Sequence, residues 1–193
     1  MVVPGFATDD GWTARMRAFL TSIGYDARRW GIGRNHGRVP QLIPAVIERC
    51  QRLAGDSGQP VRLIGWSLGG YLAREAARER PEMVERVITL GAPVVGGPTY
   101  TASAPMYLKK GYDLADIAET VLEREHRPIT TPVFAVYSRS DGVVAWRACI
   151  DTFDNPCVEH HEVVSSHHRM VNTPPVFRLV AELLVRIAPN SNC

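Results

Sequence analysis

The sequence of 193 residues lacks long hydrophobic runs, a strong charge of either sign and more than a few cysteines. No apolar run approaches the roughly 18 residues that a membrane-spanning helix needs, so no transmembrane segment is predicted. The net charge of +2 is too small to create a strong positive electrostatic potential, and nucleic acid is therefore not an expected partner. The first residues show neither the basic nor the apolar region of a signal peptide, which favours a cytoplasmic location.

The four cysteines match neither a CxxC motif nor a zinc-binding spacing. Two pairs of adjacent histidines stand in the second half of the chain, yet no carboxylate or third histidine has ligand spacing to them. We therefore expect neither a metal nor another cofactor. Free thiols are the expected state of the cysteines, while Cys149 and Cys157 are close enough in sequence to pair in an oxidising compartment.

The hydrophobic pattern alternates short β-branched runs with longer stripes at helical spacing. The predicted strands cover residues 2–3, 27–32, 61–65, 87–90, 133–137 and 158–164. This alternation predicts a three-layer α/β fold, in which helices cover both faces of a mostly parallel sheet of about six strands. The chain length favours a single domain over residues 1–193, with its functional site at the carboxyl ends of the strands.

The segment from about residue 96 to residue 131 departs from this alternation. It begins with glycine, proline, serine and threonine, and continues with an amphipathic stretch for which Asp113 is the expected N-cap. The segment is either a small cap over the site or an ordinary helix packed on the sheet, and periodicity alone favours neither.

The pentapeptide Gly65-Trp66-Ser67-Leu68-Gly69 has the pattern G-x-S-x-G. The bare pattern is common by chance, but here a predicted buried strand runs through it directly into a small-residue helix. A serine on so sharp a turn has strained backbone angles, and flanking residues with a Cβ would collide across it. The context predicts Ser67 as a nucleophile and the N–H of Leu68 as a donor to a developing oxyanion. An idle serine on a tight turn is the alternative.

A serine nucleophile needs a base, and a neutral histidine with an acceptor behind it suits that role. For a serine on a strand–helix turn, the expected chain order is serine, then a carboxylate, then histidine. His167 and His168 both lie in the loop after the last predicted strand. We predict His167 as the base because it follows the strand end more directly, and His168 remains the alternative.

The predicted acid is Asp141, which lies in the loop after the strand at 133–137. A carboxylate at that strand end is able to accept a hydrogen bond from the histidine Nδ1–H and fix its tautomer. Asp151 and Asp154 compete for this role, but they come after a predicted short helix and lie farther from the strand end. Asp141-Gly142 also has the composition of an ordinary turn, which is the other interpretation of this position.

Further segments carry a resemblance to a known family. They are Pro4-Gly5-Phe6, the run from Gly65 to Gly70, the run from Thr89 to Pro93, the run from Tyr137 to Asp141, and Ser166-His167. In this order, and over nearly the whole chain, they resemble the α/β-hydrolase superfamily of the bacterial esterase/lipase type, close in size to the minimal single-domain lipases. The resemblance implies a triad of Ser67, Asp141 and His167, with the N–H groups of Phe6 and Leu68 as oxyanion donors.

The predicted activity is that of a serine carboxylic-ester hydrolase, an esterase or lipase that works through an acyl-enzyme. Acyl transfer or thioester cleavage by the same triad, and a non-catalytic binding protein on a hydrolase scaffold, are the alternatives. The expected partner is a small-molecule ester or lipid. Its predicted binding residues are Trp12, Trp66, Val94, Met106 and Tyr107, and the sequence does not separate a lipase from a short-chain esterase.

Overall fold

The computed structural model of the chain describes residues 1–190 and 193. Five strands form one parallel sheet whose spatial order follows the chain. The strands are β1 (Val2–Val3), β2 (Val61–Trp66), β3 (Val84–Leu90), β4 (Val133–Tyr137) and β5 (Val158–Glu162). Strands β2 to β4 are largely apolar and buried on both faces, as parallel strands between two layers of helices must be.

The strand predicted at residues 27–32 is reduced to a single bridge at Arg29, which pairs with β1. The N–H groups of Trp30 and Gly31, which a longer strand would use for pairing, instead donate to the Asp10 carboxylate at 3.1 and 3.2 Å. Gly31 also has a φ of 71°, which ends extended backbone at that residue. The sheet therefore has five strands in the described residues, close to the six that were expected.

Helices cover both faces of the sheet. They are α1 (Ala14–Ser22), α2 (Val39–Ser57), α3 (Leu68–Glu79), α4 (Ala104–Lys109), α5 (Leu114–Glu125) and α6 (Pro174–Val185). One face is covered by α2 and α3, whose buried side chains include Val46 and Leu72, and the other by α1 and α6, with Met16 and Val180. The predicted three-layer α/β architecture is confirmed. No helix within residues 1–190 and 193 is long and apolar enough to cross a membrane.

The segment 96–131 contains α4 and α5, and the two helices differ in their contacts. Asp113 caps α5 as predicted, because its carboxylate accepts the N–H of the residue two positions later at 2.7 Å. Near its other end, Arg124 pairs with Glu75 of α3 at 2.7 Å, so that α5 packs against the helix layer. Helix α4 has one buried side chain, Tyr107, which contacts the loop that follows β1.

The cysteines match neither predicted alternative in full, because two are free thiols as expected and two are paired. Cys157, at the start of β5, forms a disulfide with Cys193, with a Cα–Cα distance of 5.5 Å. The pairing of Cys149 with Cys157 is therefore wrong, and Cys50 and Cys149 are the buried free thiols. Burial, together with the nearby Asp141 carboxylate, raises the pKa of the Cys149 thiol to about 12. Disulfides persist mainly in oxidising compartments.

A buried ion pair joins α3 to the segment before β5. Nη1 of Arg74 donates to Oδ2 of Asp151 at 3.0 Å, and the two side chains are 2% and 6% exposed. Nε2 of His160 lies 3.0 Å from the same carboxylate oxygen. Burial alone would raise the pKa of Asp151, but the contact with His160 and the charge of Arg74 outweigh it and lower the pKa to about 2. This aspartate therefore has a structural partner already, away from the predicted base.

We expect Asp151→Asn to lower the free energy of unfolding by about 3 to 5 kcal/mol, because the variant leaves the Arg74 guanidinium buried without its counter-charge. Urea denaturation at neutral pH measures this loss. Asp154→Asn, at an exposed position three residues later, is the control and should stay within about 0.5 kcal/mol of the wild type. An equal loss in both variants would contradict the assignment.

The same pair predicts part of the acid response. The folded-state pKa of about 2 lies below the ordinary value of about 3.9, so the contribution of Asp151 is complete above that value and is lost as the pH falls through it toward 2. Asp151→Asn should therefore lose less stability than the wild type between about pH 4 and pH 2.

Candidate active site

Ser67 lies on the turn between β2 and α3, with a φ of 55° and a ψ of −128°. Such angles cost a residue with a side chain about 1 to 3 kcal/mol and persist only when the surroundings impose them. The flanking glycines show how the surroundings do so. A Cβ added to Gly65 would lie 2.4 Å from the Gly69 carbonyl oxygen, and one added to Gly69 would lie 2.4 Å from the Val3 carbonyl oxygen. The predicted collision across the turn is confirmed for Gly65, whereas Gly69 is required because it packs against the backbone of β1 and Pro4.

The Pro4-Gly5-Phe6 turn stands opposite Ser67. A Cβ added to Gly5 would lie 3.2 Å from the Ser67 Cβ, which shows how closely the two turns approach. Within the described part of the chain, neither the Phe6 N–H nor the Leu68 N–H donates to a protein acceptor. Leu68 is the first residue of α3, where backbone N–H groups have no partner inside the helix. Two free donors therefore flank the serine, as an oxyanion site requires.

Asn35 holds the turn after β1 in place, and sequence reasoning did not identify it. Its side chain is fully buried, and the amide donates to the Pro4 carbonyl at 2.9 Å. The backbone carbonyl of Asn35 accepts the Ala7 N–H at 2.8 Å. Ala7 has a φ of 59°, which is unusual for alanine. An asparagine in a glycine-rich segment is a weak signal, because the same composition is typical of ordinary turns.

A buried pair of side chains lies at the ends of β4 and β5. Nδ1 of His167 is 2.7 Å from Oδ2 of Asp141, and the two side chains are 3% and 2% exposed. The other oxygen, Oδ1, accepts the N–H groups of Val143 and Val144 at 2.9 and 2.6 Å. The carboxylate is thus an acceptor on every side, which assigns the proton to His167 Nδ1 and leaves Nε2 free.

Gly91, directly after β3, allows this pair to lie against the sheet. A Cβ at position 91 would lie 3.0 Å from Oδ2 of Asp141 and 3.2 Å from Nδ1 of His167, and the φ of 59° also favours glycine. On the other side, the His167 ring is 5.3 Å from the ring of Trp66, the residue before Ser67. The His167–Asp141 pair therefore lies at the carboxyl edge of the sheet, against the residue that precedes Ser67.

The competing residues lie elsewhere. His168 is exposed, and its ring contacts those of Trp12 and Trp66 at 5.9 and 5.8 Å. Asp141 bonds to His167 instead, while Asp151 is occupied by Arg74.

The predicted substrate-binding residues lie in three different parts of the structure and differ in their exposure. Trp66 is 3% exposed, and Trp12, at 46%, stacks on it with a centroid distance of 6.0 Å. Tyr107 is buried against the Phe6 ring at 5.1 Å, while its neighbour Met106 is 46% exposed. Trp66 lies against the ring of His167, and Tyr107 lies against the turn that carries Phe6. Val94 is buried, and its N–H donates to the carbonyl of residue 148 at 2.8 Å.

Known proteins of similar sequence or structure share the fold of this chain. No family model matches the chain. The mitochondrial palmitoyl-protein thioesterase ABHD10 of Rattus norvegicus is 27% identical over 214 residues, which cover 94% of this chain and 72% of the relative. The mouse alpha/beta hydrolase domain-containing protein 10 aligns over 95% of this chain and 86% of its own, with 21% identity and a TM-score of 0.61. The mature lipase BlEst2 of Bacillus licheniformis aligns over 95% and 90%, with 17% identity and a TM-score of 0.74.

The chain has the α/β-hydrolase fold. The edge of the sheet at which a parallel α/β fold is expected to carry its site holds the serine turn, the histidine–carboxylate pair and the two free N–H groups. The part of the chain that the structure describes contains no group of three or more His, Cys, Asp or Glu side chains able to hold a metal ion.

Proposed function

We propose that this α/β-hydrolase cleaves carboxylic esters through an acyl-enzyme formed on Ser67. One observation carries the proposal. The buried His167–Asp141 pair, at 2.7 Å, lies at the same edge of the sheet as the strained turn of Ser67. A binding protein would have no need of a serine held at a positive φ, nor of an imidazole oriented by a buried carboxylate at the same edge of the sheet, since both features are costly.

In the proposed acylation step, the Ser67 hydroxyl attacks the ester carbonyl carbon while His167 Nε2 takes the hydroxyl proton. Asp141 accepts the Nδ1–H throughout and stabilises the imidazolium that forms. The tetrahedral oxyanion receives hydrogen bonds from the free N–H groups of Phe6 and Leu68. The C–O bond to the alcohol then breaks, and His167 returns its proton to the leaving oxygen.

In the deacylation step, water replaces the alcohol. His167 Nε2 takes a proton from the water while the water oxygen attacks the acyl carbon. The bond between the acyl carbon and Ser67 Oγ then breaks. The proton passes to the Ser67 oxygen, which releases the carboxylic acid and restores the free enzyme. The same two backbone N–H groups serve the second oxyanion, so no residue beyond the proposed set is needed.

Thioester cleavage is the second candidate function. It is favoured by the resemblance to a palmitoyl-protein thioesterase over 94% of this chain. The same groups would act, and a thiolate leaves with less help from His167 than an alkoxide does. We propose that the chemistry covers both acyl bonds and that the aromatic surroundings of the site select the acyl chain.

Turnover of matched oxygen and sulfur esters of one acyl chain, in a series of increasing chain length, tests both candidates. We expect measurable hydrolysis of both, with kcat/KM rising at least tenfold from a two-carbon to an eight-carbon chain. The half-exposed Trp12 and Met106 offer apolar surface, and each fully buried methylene contributes about 0.8 kcal/mol. A fall in kcat/KM with each added methylene would contradict the proposed selection of the acyl chain by these apolar side chains, and no turnover of any substrate would contradict the function itself.

A further inference from the structure

The indole of Trp66 connects the nucleophile turn to the histidine loop. Its Nε1–H donates to the carbonyl oxygen of His167 at 3.1 Å, a buried hydrogen bond between residues 101 positions apart. The ring itself is 3% exposed and is covered by Trp12. The same carbonyl also accepts the N–H of Met170 at 3.3 Å, so it keeps a partner if the indole is removed.

Apart from the Met170 contact within its own turn, the other bonds that hold His167 come from Asp141. The His167 N–H donates to the Asp141 carbonyl at 3.2 Å, and Nδ1 bonds to the Asp141 carboxylate at 2.7 Å. Both contacts fix the histidine relative to the loop after β4, and neither fixes it relative to the serine. The indole does so, because Trp66 is joined to Ser67 by a peptide bond.

We propose that Trp66 is a positioning residue that sets the distance between the His167 base and Ser67. This inference rests on the proposed function. The sequence predicted Trp66 as a substrate-binding residue. Its burial, and the hydrogen bond from its indole N–H to the His167 carbonyl, instead suit a residue that holds the histidine in position. A misplacement of about 1 Å in a reacting group costs up to about 100-fold in rate, so one cross-link between two loops has a measurable effect.

The test compares Trp66→Phe with the wild type in steady-state ester hydrolysis. Phenylalanine keeps an aromatic ring and removes the N–H, so kcat should fall about tenfold while KM stays within about twofold. Trp30→Phe is the matched control. Trp30 is also buried and donates through Nε1 to a backbone carbonyl, that of Gly33 at 2.9 Å, but this bond closes its own turn. It should lose stability similarly and keep kcat within about twofold.

Hydrogen exchange provides a readout that does not depend on turnover. Amide exchange in residues 165–169 should accelerate in Trp66→Phe and remain unchanged in Trp30→Phe. In the wild type, the indole protons of Trp30 and Trp66 should be the slow pair among the four tryptophans, because both are buried and hydrogen-bonded. If Trp66→Phe does not fold, exchange of the Trp66 indole proton in the wild type still tests the hydrogen bond on which the positioning role depends.

The outcomes separate this inference from the proposed function. A kcat for Trp66→Phe within twofold of the wild type, an equal loss of kcat in Trp30→Phe, or rapid exchange of the Trp66 indole proton would each overturn the positioning role. A wild type that hydrolyses no ester or thioester overturns the function, and with it the catalytic part of this inference. Slow indole exchange combined with a selective loss of kcat in Trp66→Phe supports the role.

Discussion

Ser67→Ala is expected to lower kcat for ester hydrolysis by about 10⁴- to 10⁶-fold, because the variant has no oxygen to form the acyl-enzyme. The residual rate would come from the oxyanion donors and from substrate binding, which the substitution leaves in place. The change removes one hydroxyl and retains a Cβ at the same strained turn, so the fold should survive. Steady-state rates at saturating substrate measure the effect.

A matched control separates chemistry from stability. Ser22→Ala removes a hydroxyl at the exposed end of α1, where the group bonds only to a carbonyl of its own helix. It should keep kcat, and the melting temperatures of both variants should remain close to that of the wild type. A Ser67→Ala protein that retains more than about 1% of wild-type kcat would contradict the nucleophile assignment.

His167→Ala is expected to lower kcat by about 10³-fold or more, whereas His168→Ala should change it by less than about tenfold. The difference follows from their partners. His167 bonds to the buried Asp141 carboxylate, while His168 is exposed against the rings of Trp12 and Trp66. Removing the base abolishes the proton transfer itself, whereas removing the exposed neighbour loses only its packing against Trp12 and Trp66. Parallel kcat measurements on the two variants decide between the adjacent histidines.

Asp141→Asn extends the same comparison. An amide in place of the carboxylate removes the charge that stabilises the imidazolium and favours the wrong histidine tautomer, so kcat should fall by about 10²- to 10⁴-fold. An inactive His168→Ala protein with an active His167→Ala protein would reverse the assignment of the base.

The serine turn is the part of the site that local sequence predicts best. A strand, a strained serine and a helix follow one another without a gap, and the collisions that demand Gly65 and Gly69 arise within a few residues or against the adjacent β1. The order of Asp141 and His167 follows from parallel strands that end at one edge. The positions of these residues along the chain were therefore enough to predict most of the proposed triad.

The features that sequence did not predict depend on contacts between distant residues. The strand expected at 27–32 shortens because the Asp10 carboxylate takes two of its N–H groups. Cys157 pairs across 36 residues with Cys193, a choice that spacing alone does not make. The side-chain amide of Asn35 and the indole of Trp66 each donate to a backbone carbonyl, 31 and 101 residues away respectively. No periodicity or motif marks such bonds.

The most direct test of Ser67 as the nucleophile is to map the residue to which a fluorophosphonate probe attaches. Such probes react with an activated serine, and the protein is predicted to gain one adduct per chain, located at Ser67 within tryptic peptide 63–74. Ser67→Ala should gain none under the same conditions. An adduct mapped to another residue, or equal labelling of Ser67→Ala, would contradict the proposed acyl-enzyme.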